Sequence, residues 1–285
     1  LTAFEISLQA KPWMVMCAYN KVNGVFASEN KKLLKEILRD KFGYDGVIVS
    51  DWEAVKNRAK ALNATLDLEM PYNAYSYDEL KTAYENGFIA DQELDASVNR
   101  LLALAEKTCR VQKKVLYARD QRHENALNIA RESVVLLKNE NRILPMKKYA
   151  SVDLFRSCDL EVTQGGGSAK VESNYPEVTL ASALEKQGYA VNANLSHENV
   201  IGETYGDYLI YTVGSNQYEM EGVDRNNIEV RNMDAQKILY FCERGEKVIV
   251  VIYAGSVVDI SLFADKAAAI VYAGFGGEAG NEAVA

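Results

Sequence analysis

Residues 47–52 read VIVSDW: after Gly46 come three apolar, mostly β-branched residues, then a serine, a carboxylate and an indole. A short continuous apolar run bounded by glycine and an acidic residue fits a strand covered on both faces, as in a parallel sheet flanked by helices. Folds of that kind keep their chemistry at the C-terminal ends of the strands. The run therefore points to an α/β class and singles out Asp51. Taken alone, an aspartate after a strand reads first as the N-cap of a following helix.

The surrounding pattern repeats strand then helix. Strands are expected over 14–19, 47–50 and 67–70, with a helix over 28–41. In that helix Leu33, Leu34, Ile37 and Leu38 recur at helical spacing with lysines opposite, Ser28 is placed to cap the N-terminus and Gly43 to end it. Asn20, Asn23 and Gly24 suit a chain reversal after the first strand. Pro71 and the tyrosines after it form a loop, and helices follow over 77–86 and 91–108, the second with Leu94, Val98, Leu101, Leu102 and Ala105 on one face. A further helix is expected over 123–138, then an exposed turn and linker at KNENRILPM. Beyond it, strands over 152–155, 208–213, 248–253 and 269–272 alternate with helices over 180–187 and 234–244, a second, open α/β sheet. The expected organisation is a first domain at 1–118, a linker with its helix at 119–147 and an α/β sandwich domain at 148–285.

Composition narrows the function classes. The net charge is −8 and no block of lysines and arginines stands out, which argues against nucleic acid and anionic membranes as partners. The four cysteines (Cys17, Cys109, Cys158, Cys242) share no short spacing, and His123 and His197 are isolated, so neither a metal centre nor a disulfide framework is expected. That favours a reducing, cytoplasmic setting. No apolar stretch approaches the ~20 residues of a membrane span. GGGS at 165–168 lacks the spacing and lysine of a P-loop, which leaves nucleotide cofactors out.

Read together and in order, VMCAYNKVNG, ASENKKLLKEILRDKFGYDGVIVSDWEAV and LDLEMP resemble the later strands of the catalytic barrel of glycoside hydrolase family 3. ARESVVLLKNENRILPM, QGGGSAKV, EMEGVDR and AGFGGEAGNEA are similar to that family's second, sandwich domain, so the resemblance covers almost the whole chain. It implies the last strands of a (β/α)8 TIM barrel followed by an open α/β sandwich. A full barrel needs about 250 residues, so a longer enzyme, or a fragment completed by a missing barrel portion or a homo-oligomeric partner, is expected.

The resemblance also implies roles. Asp51 matches the family's nucleophile, and a retaining glycosidase needs such an ionised carboxylate plus a second carboxyl group ~5 Å away. The segment EMEGVDR gives that second role to Glu221, with Glu219 as its neighbour; without the resemblance the two glutamates would read as a solvated acidic turn. Val223 stands where an aromatic residue is common, and Asp224 and Arg225 are expected to brace the loop by an ion pair. Tyr19 and Met16 match residues that line the sugar pocket, Ser168 the hydroxyl contact of a glycine-rich loop, and Trp52, beside Asp51, offers an apolar face to the C–H groups of a sugar ring. An indole after a strand is also an ordinary packing residue. The implied activity is a retaining, exo-acting β-glycosidase, foremost a β-glucosidase, on a small oligosaccharide or an aryl or alkyl β-glycoside, with β-xylosides or β-N-acetylglucosaminides as alternative substrates. The alternative from another class is a catalytically incomplete or carbohydrate-binding remnant, since the family's upstream sugar-holding lysine-histidine motif, arginine and aspartate have no counterpart in this sequence.

Overall fold

The β-branched run at 47–52 becomes the central strand of a three-stranded parallel sheet. The computed structural model describes residues 1–110, 117–157, 164–170, 173, 175–176, 178–195, 206–214, 220, 222–223 and 225–285. Two units result, Leu1–Val115 and Leu116–Ala285.

In the first unit a short helix α1 (Thr2–Ser7) precedes strand β1 (Met14–Cys17). The ribbon β2 (Lys21–Val22) and β3 (Val25–Phe26) follows, turning through Asn23 and Gly24, both at positive φ (52° and 84°). Two left-handed residues in a row match the right-handed twist of the paired strands, and asparagine followed by glycine tolerates them best. Strands β4 (Val47–Trp52) and β5 (Leu68–Met70) complete the sheet in the order β1-β4-β5, joined by helix α2 (Arg58–Asn63). Helices α3 (Ala74–Glu85) and α4 (Asp91–Cys109) come next.

The helix expected over 28–41 divides into a 3-10 turn, Ala27–Glu29, and a π-helix, Lys32–Lys41. The wider π turn shows in its side chains, for Lys35 meets Asp40 five residues on at 2.6 Å rather than a residue four away. Ser28 does not cap it. Ser28 is buried with its hydroxyl donating to Ala54 O (3.1 Å), and Asn30 accepts the Leu33 N–H at 3.0 Å. Gly43 ends the segment at φ 69°, as expected of a left-handed C-terminal residue. Leu34 and Leu38 pack with Ala61, Ala64, Ile48 and Leu66 on one face of the sheet. On the other, Met14 and Met16 are 39% and 61% exposed.

The apolar face expected on α4 is only partly its inward face: Leu94 and Leu101 are half-buried but Val98, Leu102 and Ala105 are exposed, whereas Ser97 is buried and Arg100 half-buried. Their orientation is set by Asp67. This carboxylate, with a fully buried side chain, accepts hydrogen bonds from Ile48 N (2.9 Å), Arg39 Nη2 (2.8 Å), Arg100 Nε (2.9 Å) and Ser97 Oγ (2.9 Å). A buried charge must be paired and hydrogen-bonded, so the polar side of α4 turns inward.

In the second unit, α5 (Arg119–Ser133) ends earlier than its helical periodicity implied, and Val135–Asn139 forms strand β6 instead. The β-branched pair Val134 and Val135 suits a pleated surface, and β6 pairs antiparallel with the final strand of the sheet. The other strands are β7 (Ser151–Arg156), β8 (Ala190–Leu195), β9 (Tyr208–Gly214), β10 (Val248–Tyr253) and β11 (Ala269–Tyr272), in the order β6-β11-β10-β9-β7-β8. Strand β8 had no counterpart in the sequence reading. Helices α6 (Leu180–Lys186), α7 (Asn232–Glu243) and α8 (Gly280–Val284) complete the unit. Residues Leu209, Tyr211, Val250 and Ile252 pack with Ile238 and Phe241 of α7 on one face, and Ile210, Ile249 and Val251 with Leu180 and Leu184 of α6 on the other. That is why β9 and β10 read as unbroken apolar runs.

Candidate active site

Asp51 stands near the C-terminal end of β4 and is half-buried. Strand alternation puts it on the face of Val49, and the parallel register pairs Val49 with Met16, so Asp51 shares a face with the exposed Met16. The Asp51 Oδ1 accepts the Trp52 N–H at 2.7 Å, and its main-chain oxygen accepts the Ala54 N–H at 3.2 Å. Trp52 is 57% exposed at the strand end, and Tyr19, just beyond β1, is 49% exposed.

The pairing of β4 with β5 is irregular here. Val49 faces Leu68 but Trp52 faces Met70, so three steps on one strand match two on the other. The Ser50 hydroxyl bridges the gap, accepting the Met70 N–H at 2.8 Å and lying 3.3 Å from Met70 O. Such bulges re-aim side chains and recur next to active sites. Ser50 and Asp67 both support the Asp51 strand, and the sequence reading assigned neither a role. Arg58 does similar work below β5: its guanidinium donates to Leu66 O (3.3 Å) and Asp67 O (3.0 Å), and burial pushes its pKa down.

In the second unit Ser168 is exposed in a short 3-10 turn, Gly167–Ala169, on the segment after β7. Gly166 forms an isolated bridge with Met220, and Met220 with Val223, which brings the glycine-rich loop against the turn after β9. A Cβ on Gly166 would lie 2.9 Å from the Met220 Cβ, so this approach requires glycine. Gly222 adopts φ 78° within the turn. Both segments follow C-terminal ends of parallel strands, where open α/β sheets bind ligands. Glu221, Glu219 and Asp224 lie outside the described residues. Arg225, expected to pair with Asp224, donates to Val257 O (2.9 Å) and to Ser256 Oγ. Among the described residues, no group of three His, Cys, Asp or Glu side chains is arranged to hold a metal ion, and no helix is long and apolar enough to cross a membrane.

The family models agree on both halves. Residues 1–104 match the glycosyl hydrolase family 3 N-terminal domain, and residues 134–285 match the glycosyl hydrolase family 3 C-terminal domain. The chain belongs to glycosyl hydrolase family 3. It is 33% identical to the thermostable β-glucosidase B of Acetivibrio thermocellus, over 97% of this chain and 39% of that protein. It is also 30% identical to an exo-α-(1→6)-L-arabinopyranosidase of Bifidobacterium longum, over 99% of this chain and 41% of that one. The crystal structure of a family 3 β-glucosidase from Bifidobacterium adolescentis superposes with a TM-score of 0.86 at 28% identity, over 99% of this chain and 44% of that chain. The β-glucosidase 3B of Thermotoga neapolitana, in complex with α-D-glucose, gives 0.84 at 25%, over 99% and 46%. The chain thus spans about two fifths of the length of the curated relatives it matches. Its fold is α/β: three parallel strands of a barrel domain, then a six-stranded α/β sandwich.

Proposed function

We propose that this family 3 chain carries part of the active site of a retaining, exo-acting β-glycosidase, with Asp51 as nucleophile and Glu221 as acid/base. The observation that carries the reading is the half-buried Asp51, held near the end of a parallel strand by a neighbouring N–H on the face of the exposed Met16. Double displacement gives the chemistry. The Asp51 carboxylate attacks the anomeric carbon while Glu221 protonates the departing oxygen, and Glu221 then takes a proton from the water that cleaves the glycosyl-Asp51 ester. Trp52 presents an apolar face to ring C–H groups, Met16 and Tyr19 line the same mouth, and Ser168 offers a hydroxyl to the sugar. The domains this reading implies are those drawn from the sequence, with a barrel portion at 1–118, a linker at 119–147 and a sandwich at 148–285.

The names of the relatives favour a β-glucoside, hydrolysed from its non-reducing end, and the arabinopyranosidase among them keeps other pyranosides in play, including β-xylosides. The span of two fifths of those relatives favours a second reading, a chain that gains activity only when the remaining barrel portion or a second copy is supplied. Turnover of an aryl β-glucoside, by this chain and by a version extended upstream, separates the two. In the active form, Asp51→Ala abolishes turnover. Glu221→Ala still releases a good leaving group and is partly rescued by azide. Azide rescue at a different carboxylate would remove Glu221 from the mechanism.

A further inference from the structure

The second unit holds a buried ring that the proposed chemistry does not use. His123 of α5 is 7% exposed and lies between two carboxylates, its Nδ1 3.0 Å from Glu278 Oε1 and its Nε2 2.7 Å from Glu282 Oε2. Tyr175 stacks on it, with ring centroids 3.7 Å apart and planes within 6°. The same glutamate reaches the Tyr175 segment a second way, for Ser173 Oγ lies 3.1 Å from Glu278 Oε2 and accepts the Tyr175 N–H at 3.0 Å. Lys186 of α6 stands 3.5 Å from Glu282 Oε1, and the Arg119 guanidinium lies 5.0 Å over the Tyr175 ring.

We infer that His123 is a positioning residue for the glycine-rich loop. With a carboxylate at each ring nitrogen, it is fixed between Glu278 and Glu282, and the fixed ring face anchors Tyr175, a few residues beyond Gly166–Ser168. Held at both nitrogens, the imidazole cannot rotate, and a stacked partner is held in turn. The loop's other side rests on Met220, so the pillar and the bridge together define where Ser168 stands. The inference rests on reading Ser168 as a sugar contact.

The test is hydrogen exchange by mass spectrometry on the full chain and on His123→Gln. Exchange over 164–176 should accelerate about tenfold or more, while that of Tyr208–Gly214 and Val248–Tyr253 stays within about twofold. Unchanged exchange over 164–176 or equal acceleration throughout the sheet would each overturn the inference. Should His123→Gln not fold, Glu278→Gln, at a more exposed position, decides by the same local readout. None of these measurements involves turnover, so loss of the Asp51 assignment, seen as activity surviving Asp51→Ala, would stand apart from loss of this one.

Discussion

Replacing Asp67 by asparagine should remove much of the first unit's stability, and the size of the effect follows from what the carboxylate holds. Its two oxygens take Arg39 and Arg100, with N–O distances of 2.8 Å for both pairs, besides Ser97 Oγ and Ile48 N. The arginine side chains are only 9% and 19% exposed, so neither can recover full hydration when its counter-charge goes. An amide keeps one acceptor and turns an NH2 donor toward an arginine, Arg39 or Arg100, that itself only donates. Removing one partner of a buried ion pair costs ~3–5 kcal/mol. With a urea m-value of about 2 kcal/mol/M, the midpoint should fall by ~1.5–2.5 M. The two tryptophans of the chain are Trp13 and Trp52, both in this unit, so their fluorescence reports its unfolding alone. Adding Arg39→Met to Asp67→Asn should return ~1 kcal/mol or more, because it deletes one stranded charge. A midpoint shift below ~0.5 M would refute the reasoning, as it would mean that the arginines find other partners or water at no cost.

Burial pushes the Cys17 thiol up to about 11, so at pH 8 it should resist iodoacetamide in the folded chain while exposed Cys109 reacts, as peptide mass mapping would record. Equal labelling of both would contradict it. Tyr44 is pushed up to about 12 by burial, and its hydroxyl donates to Val47 O at 3.1 Å. Tyr44→Phe should therefore cost ~1 kcal/mol at neutral pH. Because the folded value is raised, that contribution is whole below pH ~10 and disappears as pH climbs to about 12. Urea midpoints of the two proteins should therefore converge over this window.

Much of the architecture is written in local residue order, and the parts that are not depend on distant partners. The runs VIVS and VIVVIY announce strands buried on both faces without help from anything else. Asp51 is legible for the same reason, since a carboxylate ending such a run can hardly be elsewhere than at a strand mouth. The inward side of α4 was hidden because Ser97 and Arg100 turn toward Asp67, 30 and 33 residues back, and an ion pair overrides an apolar stripe. Strand β6 was hidden because the helical spacing of Ala126, Ile129 and Ala130 runs on into Val134 and Leu137, while its pairing partner lies at 269–272. The cap passed from Ser28 to Asn30 for a comparable reason: either residue type serves, and Ser28 is drawn into a buried bond with Ala54 O, 26 residues on. His123 looked isolated because its glutamates are 155 and 159 residues away.

The residue after the SDW motif adds an argument that neither pattern nor pairing supplies. Glu53 has φ 62°, a left-handed backbone that a side chain with a Cβ adopts at a cost of ~1 kcal/mol. No requirement of the sheet demands it, for β4 has already ended at Trp52. Two hydrogen bonds hold the strained turn: Glu53 N–H to Met70 O at 2.8 Å and Ala54 N–H to Asp51 O at 3.2 Å. The first ties the turn to the end of β5, the second to Asp51 itself. Strain that the surroundings over-determine collects at working sites, and here it falls two residues from the carboxylate, beside the bulge that Ser50 bridges. Relaxing Glu53 into an ordinary conformation would break both bonds and release the backbone that aims Asp51. The positive φ at residue 53 and the half-buried carboxylate at residue 51 thus belong to one turn, tied by the Glu53 N–H to Met70 O and Ala54 N–H to Asp51 O bonds.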